Sequence, residues 1–199
     1  MLEAILIPGA ELYYDETFLA PADATHFFDA LLKNCQWSRR NAVFGHQVPR
    51  DEAYYGDPGT QYTYSRRLYT PLPWTPELLE LKSRVEQATP RSAYKNQSLE
   101  QSAYNAVLCN LYRDGNDSVG WHSDAEPEMG PVIASVSLGE QRLFRLKHKE
   151  GPVAFSRSMP HGSLLIMAGD TQQNFKHEVP KQPRILKPRI NLTFRRVRH

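Results

Sequence analysis

The sequence predicts an α+β protein that is mainly β, on three observations. Fifteen prolines against eleven glycines in 199 residues disfavour an all-helical bundle, because proline removes a backbone donor and breaks helix interiors. From residue 104 onward, short runs rich in β-branched residues alternate with turn residues. Ahead of them lie two segments with apolar residues at helical spacing. A chain of 199 residues fits one domain, 1–199, and can bury a full core without disulfides.

In the first helix, Pro21 opens a segment that places Phe27, Phe28, Leu31, Leu32 and Cys35 at helical spacing. In the second, Thr75 is the expected N-cap and Pro76 the first helical residue. Leu78, Leu81 and Val85 mark its apolar face, and Pro90 ends it. The expected strands are 106–112, 132–138, 142–148, 163–167, 177–179 and 189–197, punctuated by Gly115-Asn116, Gly130-Pro131 and Gly169-Asp170. Upstream, 41–48 and 61–65 also read as β, with a loop around Tyr55-Gly56-Asp57-Pro58-Gly59 between them. Many short strands joined by turns suggest an antiparallel sandwich or jelly roll. With the helices first and the strands second, they form one α+β unit.

Composition excludes several classes. Cys35 and Cys109 flank no Cys-x-x-Cys or Cys/His pair, which excludes a disulfide framework and a zinc finger. They read as small buried groups in a reducing compartment. The longest apolar run, Leu164–Ala168, is far short of a membrane span, and MLEAILIPGAEL has no basic leader. A soluble protein of the cytosolic type is therefore expected, not secreted and with no membrane partner. Lys plus Arg number 24 and Asp plus Glu 22, so net charge does not by itself indicate a polyanion partner. The local clusters Arg39-Arg40, Arg50, Arg66-Arg67 and Arg195-Arg196 with Arg198 suit a polyanion, although at a net charge of +2 a solvated surface is the better account of them.

The segment Gly120-Trp121-His122-Ser123-Asp124 carries the chemistry. In extended chain His122 and Asp124 point the same way. With His177 from another strand they would give two histidines and one carboxylate, a ligand set that leaves three positions open on Fe(II). A His-x-Asp pair among seven histidines is a weak signal alone, and the last strand strengthens it. There Ile190, Leu192 and Phe194 alternate with Arg189, Asn191, Thr193 and Arg195, so one face is apolar and the other strongly polar. Asn110 and Tyr112 form a second polar stripe. A dicarboxylate could be gripped by one arginine at its far end, with Asn and Tyr along its length and its keto-acid end on the metal.

The segments NLYRDGNDSVGWHSD, PVIASVSLG, HGSLLIMAGDTQQNFKHEVP and PRINLTFRRV resemble the AlkB family of Fe(II)/2-oxoglutarate dioxygenases over roughly residues 40–197. They are most like the branch of the second and third AlkB homologues. The resemblance implies a double-stranded β-helix with N-terminal helices, a nucleotide-recognition lid at about 36–70 and a catalytic core at about 104–197. It makes His122, Asp124 and His177 the iron ligands. It makes Asn110, Tyr112, Arg189, Asn191 and Arg195 the 2-oxoglutarate binders, with Arg195 on the distal carboxylate and Thr193 as a lesser candidate. The implied reaction uses O2 to demethylate 1-methyladenine or 3-methylcytosine in single- or double-stranded DNA, as direct-reversal repair. RNA is a second candidate substrate, and succinate and formaldehyde are the products.

For the substrate, the same resemblance points to Tyr62-Thr63-Tyr64-Ser65 as a lid, with Tyr64 stacking on the flipped base against His122. It makes Phe44 of Val43-Phe44-Gly45 a wedge for duplex DNA and Glu126 a partner for a cationic base. Arg39, Arg40, Arg50, Arg66 and Arg67 become candidate phosphate contacts. A monomer is expected, cytoplasmic in a bacterium or nuclear in a eukaryote. The alternatives are a dioxygenase acting on RNA, protein or a small molecule, and a non-catalytic nucleic-acid-binding jelly roll.

Overall fold

The computed structural model describes residues 1–39, 48–64, 67–94 and 103–198. In chain order the elements are β1 (Glu3–Ile7), β2 (Ala10–Asp15), α1 (Pro21–Asn34), β3 (Asp51–Gly56), β4 (Tyr62–Tyr64), β5 (Arg67–Tyr69) and α2 (Pro76–Ala88). A 3₁₀ turn, Arg91–Tyr94, follows. Then come β6 (Ala106–Tyr112), β7 (Val119–His122), β8 (Ile133–Gly139), β9 (Arg142–His148), β10 (Val153–Met159), β11 (Ser163–Ala168), α3 (Thr171–Asn174), β12 (Phe175–Val179) and β13 (Arg189–Arg195). A seven-stranded sheet, β1-β2-β11-β8-β13-β6-β3, faces a four-stranded sheet, β10-β9-β12-β7, and β4-β5 form a separate hairpin. This is the jelly-roll arrangement the strand pattern predicts.

Alternation along the large sheet builds two interiors. On one face Val107, Cys109 and Leu111 of β6 and Ile190, Leu192 and Phe194 of β13 pack beneath Phe27 and Leu31 of α1 and Leu78, Leu81 and Val85 of α2. Both helices start where expected. Thr75 Oγ1 accepts from the Leu78 N–H at 3.3 Å, which satisfies one of the free donors of the first turn. The two cysteines are buried and unbridged. The other face of the large sheet looks toward the small sheet, so the polar residues of β13 are interior as well: all seven of its residues are buried. Among the described residues no helix is long and apolar enough to cross a membrane.

Several elements depart from the sequence-based expectations. The chain starts with strands, not helices. β1 and β2 form a hairpin that adds to β11 at the sheet edge, and Leu6 projects from it 93% exposed. Mixed polar and apolar order in EAILI and AELYYD hides this pattern, and pairing with β11 supplies what local propensity lacks. Residues 51–56 and 153–159 are also strands, β3 and β10, ordered by their partners β6 and β9. The large sheet thus draws β1, β2 and β3 from outside residues 104–197. Most of the 41–48 segment expected to be β lies outside the described residues.

Replacing Phe27, 1% exposed, with Ala should cost about 3–5 kcal/mol in urea unfolding, through lost burial and the cavity left behind. Leu6→Ala, at 93% exposure, should change stability by less than about 0.5 kcal/mol.

Candidate metal and cosubstrate site

Antiparallel pairing of β12 with β7 sets His177 directly across from His122. Their ring centroids are 4.2 Å apart. Asp124 follows His122 on the same face, and a backbone hydrogen bond from its N–H to Gln172 Oε1 of α3 (2.9 Å) holds that stretch. His122, Asp124 and His177 can each present one ligand atom, all within 4.8 Å of one another. Sequence reasoning missed Gln172, because a buried glutamine in a four-residue helix leaves no sequence pattern.

Each ligand is in the state a divalent cation needs. His122 Nδ1 lies 2.9 Å from the Gly120 carbonyl. A carbonyl only accepts, so Nδ1 carries a proton there and Nε2 is the ring nitrogen available to a metal. That Nε2 is 3.8 Å from Asp124 Oδ1. Burial, reinforced by His122, pulls His177 down from 6.5 to about 3, so its ring is neutral at ordinary pH, and its buried Nδ1 has no hydrogen-bond partner. Burial alone would push the Asp124 carboxyl up. The Arg195 guanidinium, 3.4 Å away, outweighs it together with His122, His177 and Arg50, and holds the carboxyl at about 2.

The cavity between the sheets extends from this cluster across the inner faces of β6 and β13. Arg195 stands at the cluster end, touching Asp124 and, at 3.5 Å, the Tyr62 hydroxyl. Arg189 is six residues along β13, about 20 Å of strand. It is 2% exposed, and burial pulls its guanidinium down to about 10, still charged at neutral pH. Its Nη2 donates to Ser137 Oγ at 2.9 Å, and its carbon lies 5.2 Å from the Tyr112 ring centre. Among the described residues, Nε and Nη1 are buried with no hydrogen-bond partner. A buried cation with two unmatched donors is a costly arrangement that an anion would relieve.

This geometry corrects the expectation that Arg195 takes a distal carboxylate. Arg195 Nη2 is taken up by Asp124 of the candidate cluster, and the guanidinium farther along β13 is Arg189. Asn110 and Tyr112 line the cavity as expected. Asn191 and Thr193 line it too, but both Asn191 N–H bonds are spent on Ser135 Oγ and the Val136 carbonyl, and Thr193 donates to Asn191 Oδ1. Leu108, Phe144 and Met167 complete the lining; they are apolar residues that no sequence motif distinguishes from ordinary core.

The substrate-side expectations fare unevenly. Phe44 and Ser65 lie outside the described residues, as do Arg40, Arg66 and the side chains of Tyr64 and Arg67. Tyr62 is packed inside, 5.1 Å from Tyr69 in a stacked pair. Arg50 is not a surface cation: it is 9% exposed and paired with Glu52 at 2.7 Å. Arg39 pairs with Asp51 at 2.8 Å. Arg50 is thus spent inside the protein, and Arg39 lies half-buried against an acid. Glu126 is half-buried with Oε2 unpartnered; burial, with Asp124 nearby, pushes its carboxyl up. On the outer face of the small sheet, Lys147 and Lys176 sit directly opposite each other. Lys147 Nζ and the Arg145 guanidinium lie 4.7 and 5.5 Å from the Trp121 ring centre, next in sequence to His122.

Comparison with known proteins follows the same lines. A family profile described as the 2OG-Fe(II) oxygenase superfamily matches residues 11–195, which takes the likeness well upstream of residue 40. The chain is 40% identical over 195 residues to alpha-ketoglutarate-dependent dioxygenase alkB homolog 3 of Bos taurus, covering 90% of this chain and 64% of that protein. It is 38% identical over 205 residues to DNA oxidative demethylase ALKBH2 of Homo sapiens, covering 95% and 74%. It thus spans about two-thirds of the length of the alkB homolog 3 proteins it matches. Among solved structures, that of OsALKBH1 superposes with TM-score 0.65 at 18% identity over 100% of both chains. A Trichoplax adhaerens prolyl hydroxylase in complex with a peptide fragment gives 0.63 at 14% identity, covering 94% and 83%. These two likenesses are of fold.

A neutral buried His177 has a measurable consequence. Between pH 6.5 and about 3 the unfolded chain binds a proton there that the folded, metal-free chain does not, so stability falls as pH is lowered through that window. His177→Gln should flatten the decline measured by urea unfolding between about pH 6.5 and 4.5; an unchanged slope would contradict this state of the ring.

Proposed function

The chain belongs to the 2OG-Fe(II) oxygenase superfamily and, within it, to the AlkB family; from that premise we propose that it oxidatively demethylates N-methylated bases of the 1-methyladenine and 3-methylcytosine type in DNA, with RNA as a second substrate. One observation carries the reading: a buried guanidinium with two unmatched donors, Arg189, opens onto the same cavity as the His-Asp-His cluster. A metal held at one end and a carboxylate gripped at the other match a small 2-oxo dicarboxylate.

His122, Asp124 and His177 would hold Fe(II), and Arg189 the distal carboxylate of 2-oxoglutarate. Iron, 2-oxoglutarate and O2 together supply an oxidation in which one oxygen atom enters a substrate C–H bond and the other enters succinate, with CO2 released. On a methyl group attached to a base nitrogen, the hydroxymethyl product sheds formaldehyde and leaves the repaired base. The protein's own part is to orient and to exclude water. Arg195 keeps Asp124 ionised, and Tyr62 braces Arg195. Leu108, Phe144 and Met167 present apolar walls that limit access of water to the oxidising centre. Glu126 offers a carboxylate near the cluster to a base made cationic by methylation. Phe44, Tyr64 and Ser65 complete the proposed lid. For the nucleic-acid strand we assign phosphate contact to the outer-face lysines Lys147 and Lys176; Arg145 beside them is paired with Glu178 at 3.0 Å. Like charges placed directly across a sheet repel, and a phosphodiester would offset that repulsion.

The decisive experiment is anaerobic loading with Fe(II) and 2-oxoglutarate, followed by O2 and oligonucleotides with or without methylated bases, read by base mass and by succinate and formaldehyde yield. Methylated oligomers should stimulate equal amounts of succinate and formaldehyde, and Asp124→Ala should abolish both. Failure of methylated DNA and RNA alike to stimulate turnover would reject the reading. In Arg189→Ala, 2-oxoglutarate binding in the presence of Mn(II) should weaken by about 2–5 kcal/mol, the range for truncating one partner of a buried charged pair; wild-type affinity would remove Arg189 from the site. Joint replacement of Lys147 and Lys176 by Ala should lower the slope of log affinity against log salt for single-stranded DNA by roughly 1.4, two phosphate contacts' worth. An unchanged slope would clear this face of nucleic-acid contact.

A further inference from the structure

Glu52 of β3 is a buried carboxylate, 1% exposed, that no sequence motif singled out. It sits directly across from Asn110 of β6. Arg50 Nη2 meets its Oε1 at 2.7 Å, and the Tyr69 hydroxyl donates to its Oε2 at 2.9 Å. Nε of the same guanidinium donates to Asn110 Oδ1 at 2.8 Å. Tyr69, Glu52, Arg50 and Asn110 thus form a chain of contacts that begins in the β4-β5 hairpin and ends on the cavity wall.

The chain of contacts decides a polarity. An asparagine amide can be turned end for end, exchanging donor for acceptor at nearly the same shape. Arginine has donors only, so the amide oxygen of Asn110 must face Arg50, and its NH2 group is left to meet whatever fills the cavity. An anionic occupant requires a donor there. Glu52 also gives Arg50 a carboxylate of its own. Arg50 and Asp124 both line the cavity, so a guanidinium released from Glu52 would share that cavity with the Asp124 carboxylate. A buried ion pair is no more stabilising than a well-packed apolar pair in many proteins, so its retention beside the cavity calls for a functional reason.

We propose that Glu52 is a positioning residue for the cosubstrate: it clamps Arg50 so that Arg50 fixes the Asn110 amide with its NH2 group toward the cavity, and it keeps Arg50 off Asp124. This rests on reading the cavity as the 2-oxoglutarate site.

The test is calorimetric titration of Mn(II)-loaded protein with 2-oxoglutarate, beside thermal midpoints and succinate formation at saturating 2-oxoglutarate. Glu52→Gln should weaken 2-oxoglutarate binding about tenfold, the scale of one hydrogen bond to a charged group, while the saturated rate stays within about twofold. Asn110→Asp keeps an acceptor for Arg50 but loses the donor, and should weaken binding at least as much. Tyr69→Phe removes a single hydrogen bond to Glu52 and should give a smaller loss, which keeps the test open if Glu52→Gln does not fold. Val85→Ala, in the α2 core far from these contacts, should lower the thermal midpoint and leave 2-oxoglutarate affinity unchanged. Wild-type affinity in Glu52→Gln, or an equal loss of affinity in Val85→Ala, would overturn the proposal. Wild-type protein that binds no 2-oxoglutarate would overturn the cavity reading itself, and this proposal with it.

Discussion

Asp124 is a carboxylate held away from water, and the Arg195 guanidinium is what keeps it ionised. Burial by itself drives such a group toward its neutral form, in which it ligates a metal poorly. The opposing charge at 3.4 Å, aided by Arg50, reverses that tendency. Much of the surrounding structure serves this pair. Tyr62 packs between Tyr54 and Tyr69 and meets Arg195 with its hydroxyl, and Gln172 pins the backbone of Asp124.

The two arginines of β13 show how one strand supports two tasks. Period-two alternation puts Arg189 and Arg195 on the same face, and nothing local distinguishes them. Their partners do. Arg195 has a carboxylate within reach and is a structural support for the metal cluster. Arg189 has a serine hydroxyl, an aromatic face and two unmatched N–H groups, so it is the group with binding capacity left over. A similar sorting removes the buried Arg50 from the set of surface cations and leaves Lys147, over the Trp121 ring, and Lys176 half-buried on the outer face.

Much was legible from the residues alone. Helical spacing and the Thr75-Pro76 cap marked α2 because both are local signals. The strands β6, β8, β9, β11 and β13 show themselves as short runs rich in apolar residues bounded by turn residues. His122 and Asp124 were readable as a pair because extended chain aligns alternate side chains. The β1-β2 hairpin, β3 and β10 were not readable. Their residues are mixed or charged, and they become strands only through hydrogen bonds to neighbours far away in sequence.

The sequence by itself determined which side chains can do chemistry and on which face of each strand they stand, since backbone geometry alternates side chains wherever the strand lies. Only the tertiary structure decided which of those groups meet. The register of β12 against β7 sets the two imidazoles opposite each other, and the closure of two sheets turns the polar face of β13 into an interior. The distance from Asp124 then assigns different work to two identical guanidinium groups. Such pairings depend on separations through space, and spacing along the chain carries no record of them.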